Sequence, residues 1–194
     1  SIYEFVISFL EGENKKKLYD VLPIYKIRIS ELAKQITLLH EFRKSNNVDK
    51  VGKGFHRLLY STYLSYLRPQ QFSHNLNPHI DIRGSFVELL KTQDSGQFSF
   101  FTINKDCKRG GHYHHLKNEK FFVVKGKALF NFINVFTKET FELIVDGDNP
   151  KVVETVPGWA HSISNNGEED VIVFIWANEK FDIKNPDTFS YEFE

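Results

Sequence analysis

From Asp81 onward the chain is written as short runs of β-branched and aromatic residues broken by turn signals. Candidate strands are Phe86–Lys91, Gln97–Ile103, Gly111–His115, Lys120–Lys125, Lys127–Val135, Thr140–Val145, Lys151–Val156, His161–Asn165 and Val171–Ala177. Between them stand Asp94-Ser95-Gly96, Lys125-Gly126, Asp146-Gly147-Asp148-Asn149-Pro150, Pro157-Gly158 and Asn165-Asn166-Gly167, residues that tolerate turn backbone. Nine strands at this spacing predict a sandwich or jelly roll. The 19 Phe among 194 residues can fill its core.

One stretch of this region carries chemistry. Arg109-Gly110-Gly111-His112-Tyr113-His114-His115-Leu116-Lys117-Asn118-Glu119 sets three histidines and a carboxylate within eight positions. Side chains alternate along a strand, so His112 and His114 share a face and His115 takes the other. Two imidazoles on one face and a carboxylate after a turn suit a divalent transition metal. His161 follows downstream in Pro157-Gly158-Trp159-Ala160-His161 and completes a candidate set of four.

These residues resemble the cupins. The first cupin motif has its two histidines, glutamate and closing glycine at His112-x-His114-x4-Glu119-x6-Gly126, with Asp106 in place of the leading glycine. The second fits Gly158-x2-His161-x3-Asn165, with Val156 where the motif has proline. The resemblance implies a mainly β chain, a cupin jelly-roll (double-stranded β-helix) barrel, with ligands converging at its mouth.

The leading segment reads differently. Ile2, Tyr3, Phe5, Val6, Phe9 and Leu10 recur at helical spacing before Gly12, predicting a helix over 2–11. Residues 18–22 and 25–29 read as short strands around Pro23. Ser30 is the expected N-cap of a helix from Glu31 to about Arg43. A second helix is expected over 55–67, ending near Pro69. This small α/β segment resembles the C-terminal remnant of a short-chain dehydrogenase. No Gly-x-Gly-x-x-Gly turn and no Tyr-x-x-x-Lys pair in a catalytic context is present, so no NAD(P) is expected in this chain. The expected organisation is a dehydrogenase-like segment over 1–50, a helical linker over 51–80 and a cupin domain over 81–194.

Composition removes several classes of function. Lys+Arg and Asp+Glu are 25 each, so nothing points to nucleic acid or an acidic membrane surface. The single Cys107 excludes an internal disulfide framework and fits a reducing, cytoplasmic setting. No apolar run has membrane-spanning length, and the first residues lack a signal-peptide pattern. Met is absent, position 1 included, which points to a partial or trimmed chain.

Two stretches narrow the chemistry. Asp81-x-Arg83-Gly84-x-Phe86-x-Glu88 and Arg109-Gly110-Gly111-His112-Tyr113 look like segments of nucleotide-sugar 3,5-epimerases. With Tyr60–Leu67, Lys117-Asn118-Glu119-Lys120 and Pro157–Ser162, nearly the whole chain resembles the bifunctional capsular-polysaccharide epimerase-reductases, a short-chain dehydrogenase fused to a C-terminal zinc cupin. That resemblance implies C3 epimerisation of a UDP-linked 4-keto-6-deoxy-N-acetylhexosamine on the path to an N-acetyl-L-fucosamine precursor. Reduction would belong to a separate reductase domain.

On this reading His114, Glu119 and His161 hold Zn2+, or iron or another divalent metal, and His112 is a fourth ligand or a base. Those two uses of His112 compete, because a coordinated nitrogen has no free lone pair. Tyr113 and His115 are candidates for a second proton relay. Arg83, Arg109, Lys117 and Lys120 are candidates for the diphosphate. The chain is expected to pair as a homodimer, since barrel edges need cover. Two other readings stand beside this one: a non-catalytic metal-binding cupin that stabilises a reductase partner, and an Fe(II) oxygenase using the same ligands. His40, His56, His74 and His79 match no motif, and Cys107 and both tryptophans read as structural.

Overall fold

The computed structural model describes residues 6, 7, 9–12, 22–48 and 50–193. Two sheets face each other. One has the order β1 (His79–Asp81), β2 (Gly84–Lys91), β3 (Gln97–Ile103), β10 (Val171–Ala177), β5 (Glu119–Lys125), β8 (Val152–Glu154). The other runs β11 (Phe189–Ser190), β4 (Lys108–Tyr113), β9 (Trp159–Asn165), β6 (Lys127–Asn134), β7 (Thr140–Asp146). Every strand pair is antiparallel. From β3 to β10 successive strands alternate between sheets in the jelly-roll manner, except that β6 and β7 pair as a hairpin in one sheet, as the turn spacing and motifs predict.

Period-two patterning creates the core. In β3, Phe101 and Ile103 point inward while Phe98, Phe100 and Thr102 point out. Phe121 and Val123 of β5, Ala128, Phe130 and Phe132 of β6 and Val171 and Val173 of β10 do the same. Each fully buried side chain of this kind contributes roughly 1.5–3 kcal/mol. The same alternation places polar residues inside at one end of the barrel. Gln97, Ser99, Glu119 and His161 are buried, and that end is where the chemistry lies.

The strands predicted over 97–103 and 171–177 have those bounds, and the others shift by a few residues. β4 begins at Lys108 and ends at Tyr113, so His114 and His115 lie in the following turn rather than on the strand. The structure adds β1 and β11, three and two residues long, too short to announce themselves by periodicity.

The leading segment differs from expectation. Residues 24–28 form no strand, and α1 (Ile29–Ser45) begins directly after them. Among the described residues no neighbouring strand offers them a ladder. The Leu32 N–H instead donates to the Arg28 carbonyl at 2.9 Å and starts the helix there. Arg28 is thus the N-cap, not Ser30, and its side chain makes no cap. Most of the strand expected over 18–22, and part of the helix expected over 2–11, lie outside the described residues; Val6, Ile7, Phe9 and Leu10 are helical. α2 (Gly54–Ser65) follows.

The helices are tied to the barrel at β2. The Lys91 N–H donates to the Asn46 carbonyl, and the Val48 N–H to the Lys91 carbonyl, each at 2.8 Å. Asn46 ends α1 at a φ of 55°, a left-handed position that Asn tolerates. Among the described residues no helix is long and apolar enough to cross a membrane.

Candidate metal centre

His112 on β4 pairs in register with His161 on β9, so their side chains rise side by side. Glu119 opens β5 on the facing sheet, and His114 turns inward just past the end of β4. One donor atom from each of the four residues lies within 4.8 Å of the others. His114 and His161 are each 2% exposed and Glu119 7%, whereas His112 is half-buried.

A glycine makes this approach feasible. Gly110 has φ 91°, and a Cβ there would sit 2.7 Å from the His161 carbonyl oxygen and 2.8 Å from the Ser162 Cα. Only a residue without a side chain allows the two strands to close this tightly. The β4–β9 register slips between Gly110 and His112, and the slip aims His112 at the cluster.

The donor atoms suit a cation better than they suit each other. His114 Nε2 and His161 Nε2 lie 3.3 and 3.4 Å from Glu119 Oε2. Neither nitrogen has hydrogen-bond geometry, and both ring nitrogens of His161 are buried without a partner. Buried polar atoms of this kind normally have partners. Imidazole nitrogens and a carboxylate oxygen converging without satisfying one another fit a divalent metal. The second ring nitrogen of His114 is accounted for: Nδ1 lies 2.7 Å from the Asp187 carbonyl oxygen. That acceptor fixes the proton on Nδ1 and leaves the Nε2 lone pair for the cluster.

Electrostatics agree. Burial drives His112 down to about 3, with His161 beside it acting in the same direction, so its ring is neutral near pH 7. Burial pushes the Glu119 carboxyl up, but His114, His161 and Lys117 outweigh it and hold it well below the ordinary value. A neutral His112 ring and an ionised Glu119 carboxylate are the protonation states a metal requires of them.

The cluster opens into a cavity of about 530 Å³. Arg83, Arg109, His112, Lys117, Glu119 and His161 all line it, over a floor that includes Phe101 and Phe121. Arg109 Nε donates to the Thr102 carbonyl at 2.9 Å. Its Nη2 is buried without a hydrogen-bond partner, 3.8 Å from Asp81. Arg83 forks onto the Asp81 carboxylate, and that hydrogen bond lowers Asp81 to about 2. Lys117 Nζ lies 3.4 Å from Glu119 Oε1 and donates to Thr188 Oγ1 at 3.1 Å.

The structure does not bring Tyr113, His115 or Lys120 to this cavity. Alternation turns Tyr113 away from His112, and its ring stacks on Phe189 at 5.4 Å. His115 is exposed against the same Phe189. Lys120, next to inward-facing Glu119, points outward and pairs with Glu154. His79, Glu88, Gln97 and Ser99 do line it, although no motif contains the first, third or fourth. The tail reaches the site through Phe181, Asp187 and Thr188.

The model of the polysaccharide biosynthesis C-terminal domain family matches residues 79–189. The chain belongs to this family. Its match begins with β1 and contains the whole cluster. A curated relative from Pseudomonas aeruginosa, UDP-2-acetamido-2,6-beta-L-arabino-hexul-4-ose reductase, is 52% identical over 170 residues, 88% of this chain and 46% of the relative. The crystal structure of the capsular polysaccharide assembling protein CapF from Staphylococcus aureus superposes with a TM-score of 0.89 at 36% identity, covering 99% of this chain and 53% of that one. A second crystal form of CapF gives the same TM-score and identity over 57% of that chain. This member of the family is thus CapF-like, and it spans about half the length of the relatives it matches.

Proposed function

We propose that this chain is the epimerase part of a CapF-like protein and inverts C3 of a UDP-linked 4-keto-6-deoxy-N-acetylhexosamine. The observation that carries the reading is one cavity lined by His112, Glu119 and His161 of the cluster and by an arginine whose buried Nη2 makes no hydrogen bond. The names of the relatives support the substrate class, a nucleotide sugar destined for surface polysaccharide.

In this proposal the buried residues His114, Glu119 and His161 hold the metal, zinc for this donor set, with iron acceptable to the same donors. When bound, a divalent cation supplies a Lewis acid for the enolate oxygen that forms when the proton beside the ketone leaves. His112, the half-buried member, faces the cavity with a neutral ring and takes the C3 proton. Lys117 is the second proton-carrying side chain beside the cluster and returns a proton on the other face. Arg109 and Arg83 receive the diphosphate. Reduction of the epimerised ketone falls to a separate nicotinamide-binding domain, residues 1–50 being a dehydrogenase-like remnant and 51–80 a linker to the cupin domain at 81–194. We place the protein in the cytoplasm as a homodimer, which light scattering at micromolar concentration tests.

The test is hydrogen exchange. The protein is incubated in D2O with the UDP-linked keto sugar and no nicotinamide, and the C3 proton is followed by NMR. Loss of the signal in the wild type and retention in His112→Ala is the expected result. A second reading is favoured by one observation, the relative's description as a reductase. There the cupin is a non-catalytic metal-binding module of a reductase. Retention of the C3 proton by folded, metal-loaded wild type would replace the epimerase reading with that one.

A further inference from the structure

The inner face of β2 and β3 carries a second polar group, apart from the metal cluster. Glu88, Gln97 and Ser99 all line the cavity. The Gln97 amide is fully engaged. Its Nε2 donates to Glu88 Oε1 at 3.2 Å and to Ser99 Oγ at 3.1 Å, and its Oε1 accepts from the Phe181 N–H at 3.3 Å. Lys91 Nζ donates to Glu88 Oε2 at 2.7 Å. Glu88 is therefore held by Gln97 and Lys91, and Ser99 by Gln97.

Donor and acceptor counting shows what remains. Ser99 accepts from Gln97, so its own hydroxyl proton is left to donate. The Glu88 carboxylate has lone pairs beyond those met by Gln97 and Lys91. One wall thus offers a fixed hydroxyl donor beside a fixed carboxylate acceptor. A secondary amide, with one carbonyl and one N–H, is the complementary group.

Their distance from the cluster fits the same ligand. Gln97 pairs with Ala177, and Ala177 pairs with Glu119, so two strand spacings, about 10 Å, separate the polar wall from the metal cluster. That leaves room for a hexose ring with a substituent.

We propose that Ser99 and Glu88, held by Gln97, form the subsite that reads the sugar's acetamido group. Ser99 donates to its carbonyl oxygen, and Glu88 accepts from its N–H. The proposal rests on the nucleotide-sugar reading above and deepens it.

The experiment is a pair of calorimetric titrations of the whole chain, with UDP-N-acetylglucosamine and with UDP-glucose, which differ only in acetamido against hydroxyl at C2. The wild type is expected to prefer the acetamido sugar by at least about tenfold. Ser99→Ala and Glu88→Ala, which remove the donor and the acceptor, should each bring that ratio toward one by weakening only the acetamido sugar. Glu88 is partly exposed, so Glu88→Ala carries the test if Ser99→Ala does not fold. Equal binding by the wild type, or a ratio unmoved in Glu88→Ala, overturns the subsite alone. Failure to bind either nucleotide overturns the nucleotide-sugar reading and the subsite with it.

Discussion

His114 is oriented by a residue 73 positions away, its Nδ1 lying 2.7 Å from the carbonyl oxygen of Asp187. The Asp187 carboxylate also accepts the backbone N–H groups of His115, Leu116 and Lys117, at 3.1, 2.7 and 2.7 Å. One tail residue therefore fixes both a candidate ligand and the loop that leads to the next. Asp187→Ala keeps the carbonyl but leaves three N–H groups without their acceptor. Expected are a loss of about 1–3 kcal/mol in unfolding free energy and a roughly tenfold weaker zinc affinity. Thermal unfolding and chelator competition measure the two, and unchanged zinc affinity would confine Asp187 to a role in the loop.

What the sequence reveals of this site follows from range. His112, His114, Glu119 and His161 stand in two short motifs whose spacing survives in any one chain, so they are visible before folding. Gln97 and Ser99 belong to a strand that reads only as alternating, and nothing marks their polar side chains as lining a cavity. Asp187 lies in a tail whose contacts with the 115–117 loop have no local signal. Alternation from Gly111 to His115 would set His115 opposite His114, and it does so, but the strand ends at Tyr113 and the turn decides the rest. The segment before α1 misled because β-branched residues favour a strand only where a neighbour supplies the ladder.

Acid should destabilise the metal-free protein. The folded value of His112 is lowered to about 3 and that of Glu119 lies well below its ordinary range. In both cases the unfolded chain binds the proton more readily, so stability rises with pH across the gap. For His112 that gap runs from about 6.5 down to about 3. Urea unfolding of the chelator-treated chain should show a midpoint that falls steadily over this window. His112→Phe should flatten the upper part of the fall, and an unaltered profile in that variant would assign the effect to other groups.

Metal removal gives a second stability test. A ligand present at a hundredfold over its dissociation constant adds about 2.7 kcal/mol to the folded state. For a chain of this size that corresponds to roughly 5–10 °C in Tm. Zinc should produce such a rise in the wild type and little or none in His161→Ala. Equal rises in the two proteins would place the binding elsewhere.

Gly110→Ala tests the close strand approach. The added methyl would meet the His161 carbonyl and Ser162 Cα at separations that real Cβ atoms do not reach, on a backbone with φ 91°. Strain of that kind at a left-handed position costs about 1–3 kcal/mol. The β4–β9 pair must open to relieve it, which moves His112 from His161. A cobalt-substituted sample should therefore show altered visible absorption along with a lower Tm. A lower Tm with an unchanged cobalt spectrum would mean that the strands absorb the methyl without moving the cluster.

Arg109 provides the sharpest test of the anion end of the cavity. Its neighbour Arg83 is committed to Asp81, whereas Arg109 is hydrogen-bonded through Nε to Thr102 and keeps a buried Nη2 that makes no hydrogen bond, 3.8 Å from Asp81. A diphosphate oxygen would satisfy that group with a charge-assisted hydrogen bond, worth about 1.5–3 kcal/mol. Arg109→Ala should therefore weaken UDP binding by roughly ten- to a hundredfold. Arg109→Lys should recover little of it, because an ammonium cannot hold Thr102 and an anion in the fixed fork of a guanidinium. Zinc affinity should stay the same in both variants, which separates loss of the anion site from collapse of the barrel. UDP binding unchanged in Arg109→Ala would move the diphosphate away from this end, leaving Lys117 as the remaining cation beside the cluster.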